Sequence, residues 1–169
     1  SFEDSLRGAD AAIFVCPSSY LRSIAMSCAP FIASDLPVIV LTKGIEAQTG
    51  FTMVELLEDV LCNPSRIACL SGPNHAEEVS RGLPAATVVA SSDKACSLYF
   101  QDLFNTSTFR VYTTSDVTGV ELCAASKNVI AIANGMSVAM HLGDNASASL
   151  MTRGLAEVTR LVVALGGDA

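Results

Sequence analysis

A chain of 169 residues, half of them apolar, carries enough material for one medium core or for parts of two. Its formal charge of −7, with no cluster of Lys and Arg, argues against a surface for nucleic acid or acidic membranes. An acidic balance still leaves room for a small anionic substrate, which needs only one or two local cations.

In chain order, residues Ser1–Asp10 read as an exposed helix or loop leading straight into a strand, as if the chain began partway through a domain. Ala11–Val15 is a predicted strand ended by Pro17, and Tyr20–Ile32 has helical spacing. Val38–Leu41 is a second strand, entered after Pro37 and ended by Lys43-Gly44. Thr52–Cys62 is a helix opened by a Thr-x-x-Glu capping box, Thr52 with Glu55, and Pro64 lies just past its end. Ile67–Leu70 is a third strand, broken by Gly72-Pro73. Asn74–Arg81 follows as a short helix with early Glu77 and Glu78, as a helix dipole favours, and Gly82 stops it. Thr87–Ala90 is strand-like, Asp93 caps a helix over Lys94–Phe104, and Phe109–Tyr112 is the last strand. Repeated strand–helix units with continuous apolar strands predict an α/β architecture with a mostly parallel sheet covered on both faces.

The pattern changes after Asp116, a suitable N-cap. Val117–Met140 and Asn145–Leu165 are two long helices separated by the turn Gly143-Asp144 and ended by Gly166-Gly167. They are too apolar to bury themselves alone and call for further helices or a partner. This divides the chain into residues 1–115 and 116–169. The longest uncharged run is shorter than the roughly 20 apolar residues of a membrane span. Six cysteines without a Cys-x-x-Cys pair or a His cluster read as free thiols in a reducing, cytoplasmic setting, with no metal site.

Four segments carry possible chemistry. Lys43-Gly44 lies at the carboxyl end of a strand, where α/β sheets bind ligands; Lys43 is either a phosphate partner or a solvated turn residue. Ser71-Gly72-Pro73-Asn74-His75-Ala76 links a strand to a helix; its free N–H groups could hold a substrate or cofactor oxygen, or Asn74 simply caps the helix. Lys127 is the third, with no Asp, Glu, Lys or Arg from Val129 to Gly143. A desolvated lysine can titrate near neutrality and exchange protons, whereas a surface lysine does nothing of the kind. Asn134 shares its face one heptad on, and Asn128 is turned about 100 degrees away. In the fourth, Asp144 or Asn145 caps the second long helix and Arg153 is structural. There is no Gly-x-Gly-x-x-Gly, Walker loop, Gly-x-Ser-x-Gly or His-Glu-x-x-His.

Six strings resemble, in order and spacing, the bacterial-type NAD(P)-dependent sn-glycerol-3-phosphate dehydrogenase family. They are Thr42-Lys43-Gly44-Ile45-Glu46, Leu70 through Val79, Gly119-Val120-Glu121-Leu122, Lys127 through Ala133, Gly143-Asp144-Asn145-Ala146 and Thr152-Arg153-Gly154-Leu155. The resemblance implies the second part of a Rossmann-like dinucleotide-binding domain followed by the first long helices of an all-α domain. It implies reversible reduction of dihydroxyacetone phosphate to sn-glycerol 3-phosphate with NAD or NADP, feeding glycerophospholipid synthesis, and a possible homodimer. By the same resemblance Lys127 is the catalytic proton donor and acceptor, and also contacts substrate. Lys43 contacts substrate and cofactor, Gly72, Asn74 and Asn128 fall at or beside substrate contacts, and Ala76 falls at a cofactor contact.

Two departures affect helix packing more than chemistry: Cys123-Ala124 replaces a common glycine pair, and Val138-Ala139 replaces Asp-Gly. The family's glycine-rich fingerprint would precede Ser1, and its Arg-Asn phosphate motif and a further Asp would follow Ala169. The expectation is therefore an internal fragment, inactive alone. A related two-domain hydroxyacid dehydrogenase and a non-catalytic assembly module are the competing readings.

Overall fold

The structure, a computed structural model, describes residues 1–62 and 66–168. Pro64, expected just past a helix end, lies outside the described residues. Five strands form one sheet in the order β1 (Ala12–Phe14), β2 (Val38–Val40), β3 (Ile67–Ser71), β4 (Ala85–Ala90) and β5 (Phe109–Thr114). The pairs β1–β2, β2–β3 and β4–β5 are parallel, with Ile13 beside Ile39 and Ile39 beside Ala68. The β3–β4 pair is antiparallel, Leu70 facing Val89. Parallel return requires a crossover able to cover a sheet face. The β3–β4 connection holds only the four-residue helix α4 (Ala76–Val79), so the chain turns back beside the strand it has left.

Side chains of a strand alternate between faces, and here they build two cores. On one face Phe14, Val40 and Cys69 meet Leu21 of α2 (Ser18–Cys28) and Met53 and Leu57 of α3 (Met53–Leu61). On the other, Ile39, Leu70, Val89 and Val111 meet Cys96 and Phe100 of α5 (Lys94–Phe104). The helix expected over Tyr20–Ile32 starts two residues earlier and yields at Ala29–Phe31 to a 3-10 turn. Pro30 in that turn has no N–H to continue the α-helical ladder.

Three expected caps are present. Thr52 Oγ1 accepts from Glu55 N while the Glu55 carboxylate accepts from Thr52 N at 2.7 Å. Asp93 accepts from Ala95 N at 2.9 Å, and Asp116 accepts from Gly119 N at 2.8 Å to open α6 (Val117–Ala139). Two capping expectations fail. His75, not Asn74, precedes α4 and makes no side-chain capping bond, while the Asn74 amide is engaged with Thr87. Likewise Gly143 precedes α7 (Asp144–Ala164), so Asp144 is already helical.

The helices α6 and α7 pack side by side, and α6 lies on β3 and β4. Gly154 permits the close approach: a Cβ there would stand 2.8 Å from Ile130 Cδ1. α6 is long and apolar enough to cross a membrane by length and composition. Within this fold it packs on β3 and β4, and Glu121, Leu122 and Ala124 in its first half are buried. Val129, Ile132, Met136, Leu155 and Leu161 remain exposed on the helix pair.

Candidate functional site

The site gathers at the end of β2 and β3 where the strands deliver their carboxyl termini. The loop after β2 is fixed at several points. Thr42 Oγ1 donates to the Cys16 carbonyl at 2.6 Å, and Ile45 forms an antiparallel bridge with Thr52. Arg22 on α2 donates to both carboxylate oxygens of Glu46, at 2.8 and 2.9 Å, and to Asp59 on α3 at 2.6 Å. The planar guanidinium suits this forked contact. It holds Glu46 well below the usual carboxylate range, and the two carboxylates raise Arg22 in turn.

Lys43, displayed by this stapled loop, stands near enough to Lys127 of α6 for the two amines to interact electrostatically. Burial and, after it, the neighbouring Lys127 lower the Lys43 pKa, although much of the residue remains exposed. Desolvation and a like charge both favour the neutral amine, which can accept a proton or a hydrogen bond.

Gly72 follows β3 under steric constraint, since a Cβ there would lie 2.8 Å from the Ala86 carbonyl oxygen and 2.9 Å from Thr87 Cα. Asn74 Nδ2 donates to Thr87 Oγ1 at 2.9 Å, and that hydroxyl donates to the Ser71 carbonyl at 3.0 Å. Asn74 Oδ1 is buried and finds no hydrogen-bond partner among the described residues. A buried acceptor without a donor is costly, and a ligand hydroxyl or amide would satisfy it.

A cleft of about 550 Å³ runs between Ser71-Gly72-Pro73 and the residues Cys123, Lys127 and Ile130 of α6, with Met151 and Leu155 of α7 closing one side. Beside it a smaller cavity is lined by Lys43, Gly44, Ser71, Glu121 and Ala124. Lys43, Gly72 and Lys127 thus share one region. Asn128 and Ala76 are exposed, and Asn134 is half-buried with its own unpaired Oδ1. His75 pairs with Glu77 on the surface at 2.9 Å, and Arg153 with Glu157 at 3.2 Å.

Sequence reasoning on residues alone passed over Glu121. It is only 6% exposed, and its carboxylate accepts from Val54 N at 3.1 and 3.3 Å across the junction of α6 and α3. Burial raises its pKa to about 7 against the opposing hydrogen bonds from Thr52, Val54 and Met53. The signal was available: Glu121 is the one carboxylate, as Lys127 is the one ammonium, in Val117–Met140.

Comparison with known proteins gives the chain its relatives. Residues 1–97 match the model of the NAD-dependent glycerol-3-phosphate dehydrogenase N-terminus, and residues 116–169 match that of the C-terminus. The glycerol-3-phosphate dehydrogenase [NAD(P)+] of Syntrophomonas wolfei is 44% identical over 167 residues, covering 98% of this chain and 49% of that protein. The corresponding protein of Moorella thermoacetica is 47% identical over 164 residues, 96% of this chain and 48% of its own length. The crystal structure of glycerol-3-phosphate dehydrogenase from Coxiella burnetii superposes with a TM-score of 0.90 at 35% identity, over 99% of this chain and 51% of that one. The chain spans about half the length of these relatives. Its sheet is the Rossmann-type nucleotide-binding part and α6–α7 begin the helical part. On these matches, the chain belongs to the NAD-dependent glycerol-3-phosphate dehydrogenase family.

Proposed function

We propose that this chain carries part of the active site of an oxidoreductase that reversibly reduces dihydroxyacetone phosphate to sn-glycerol 3-phosphate. The observation that carries the reading is the convergence of Lys43 and Lys127, from two different elements, at the carboxyl end of the sheet. Residues 1–115 would serve nucleotide binding and 116–169 substrate binding and proton transfer.

The residues fit a nicotinamide coenzyme and a small hydroxylated substrate: Gly72 keeps the strand end bare, and Asn74 Oδ1 offers a buried free acceptor. When bound, NAD(P)H supplies the two-electron reduction of the substrate carbonyl carbon. Lys127 Nζ donates a proton to the carbonyl oxygen, leaving a neutral amine, and takes it back in the oxidising direction. Lys43 binds substrate beside it and contacts cofactor. Asn74 accepts from a substrate hydroxyl, Gly72 and Asn128 border the substrate, and Ala76 borders the cofactor.

The reading extends to a cytoplasmic enzyme of glycerophospholipid synthesis, supported by six cysteines that are all free thiols, and to a homodimer, supported by the exposed apolar residues of α6 and α7. The 169-residue chain alone is expected to show no turnover. A chimera in which it replaces the matching half of the Syntrophomonas wolfei relative should oxidise NADH with dihydroxyacetone phosphate, and not with hydroxyacid-derived ketones. Lys127→Ala in that chimera should cut kcat by about 10²–10⁴, the usual share of a positioned acid–base group, with little change in coenzyme affinity. Unchanged kcat would reject Lys127 as the proton donor.

A further inference from the structure

The contact between α6 and α3 is polar at one point only slightly open to water. Glu121 occupies the second turn of α6, and both its oxygens face the N–H of Val54 in the first turn of α3. Thr52 and the Met53 N–H also favour the charged form of the same carboxyl group. A helix N-terminus presents four N–H groups without intrahelical partners, and the partial positive charge there favours an acidic side chain. The capping box uses Thr52 and Glu55 for two of the local donors, and Glu121 meets the donor of Val54 from another element.

This joint lies between the two lysines. On one side Thr52 bridges to Ile45, two residues beyond Lys43, so the first turn of α3 and the lysine loop move together. On the other, six residues of helix, a rise of about 9 Å, connect Glu121 rigidly to Lys127. Lys43 and Glu121 also line the same small cavity.

We propose that Glu121 is a positioning residue of this site: by holding the first turn of α3 against α6, it sets the separation of Lys43 and Lys127. The inference rests on the reading that the two lysines form one site. Glu121 itself touches neither substrate nor cofactor. A carboxyl group retained only for stability would change the folding free energy without moving the lysines apart.

The spacing can be read without turnover. The 169-residue chain is treated with 1,5-difluoro-2,4-dinitrobenzene, which joins amines in near contact, and the products are quantified by mass spectrometry. Lys94, at the start of α5 on the far face of the sheet, reports general amine reactivity. The wild-type chain should yield a Lys43–Lys127 bridge. Glu121→Ala should lower the bridged fraction about fivefold, with Lys94 labelling unchanged, the shift expected from one lost hydrogen bond of ordinary strength. Glu121→Gln keeps an acceptor for Val54 and should restore bridging to within about twofold. Glu121→Met, which fills the same space without an acceptor, replaces the alanine variant if that variant does not fold. Bridging that persists at the wild-type level in either acceptor-free variant overturns the role of Glu121 alone. If neither folds, loss of the bridge in a folded Glu121→Gln chain overturns it, and retention supports it. No bridge in the wild-type chain would reject the shared lysine site, and this inference with it.

Discussion

At the carboxyl end of the sheet Lys43 and Lys127 bring two amines together, and burial and then the neighbouring Lys127 lower the Lys43 pKa. Beside them lies a buried carboxyl group, Glu121, whose ionisation has a consequence for stability. Its folded pKa, about 7, lies above the ordinary 4.5, so between these values the folded chain holds a proton that the unfolded chain has released. Stability due to this group is therefore fully present below about pH 4.5 and falls as pH rises to 7. Glu121→Gln, which does not ionise, should be spared this loss, gaining up to about 3 kcal/mol over the wild type between pH 4.5 and 8. Urea denaturation of both chains at the two pH values measures the difference; parallel pH profiles would mean that Glu121 is not the titrating group. Glu55 on α3, Cys69 on β3 and Lys43 in the loop are its charged or titratable neighbours. The Cys69 thiol is pushed up by burial and then by Glu121.

Between elements, the decisive contacts are those that let backbones come close or staple a loop. β3 and β4 approach so tightly after Ser71 that Gly72 has no room for a side chain. Gly72→Ala should destabilise the chain by about 1–3 kcal/mol through overpacking. An unchanged melting temperature would show that the strand pair can shift, and would leave substrate contact as the remaining reason for glycine. The Arg22 fork onto Glu46 and Asp59 is the corresponding device for the lysine loop, tying it to both α2 and α3. Much of this level was legible beforehand. The Thr52–Glu55 box, Asp93 and Asp116 were recognisable because a cap involves residues two or three apart. Asn74 misled because its side chain had a better partner in Thr87, on a different strand. The Arg22 network was illegible for the same reason, since its members are brought together by the packing of α2 against α3.

Over the whole molecule, the sheet is a two-faced core with an apolar helix pair attached to β3 and β4 through α6. The helix pair leaves Val129, Ile132 and Met136 exposed as a contiguous apolar face. Self-association through this face is the expected outcome: sedimentation velocity should show a species that grows with concentration, and Ile132→Lys should return it to monomer size. A monomer at all concentrations would reject the dimer.

The sequence by itself determined the alternation of strands and helices, the change of character at Asp116, and the lysines worth testing. Each is written in local periodicity, a cap, or one charge in an apolar run. The resemblance of six ordered strings extended this to a family and to assigned roles. Only the tertiary structure decided that β4 runs against β3, that Lys43 meets Lys127, and that Glu121 rather than solvent receives the first turn of α3. Those outcomes join residues distant in the chain. They depend on how short the β3–β4 connection is and on where α6 comes to rest on the sheet, which no local spacing records.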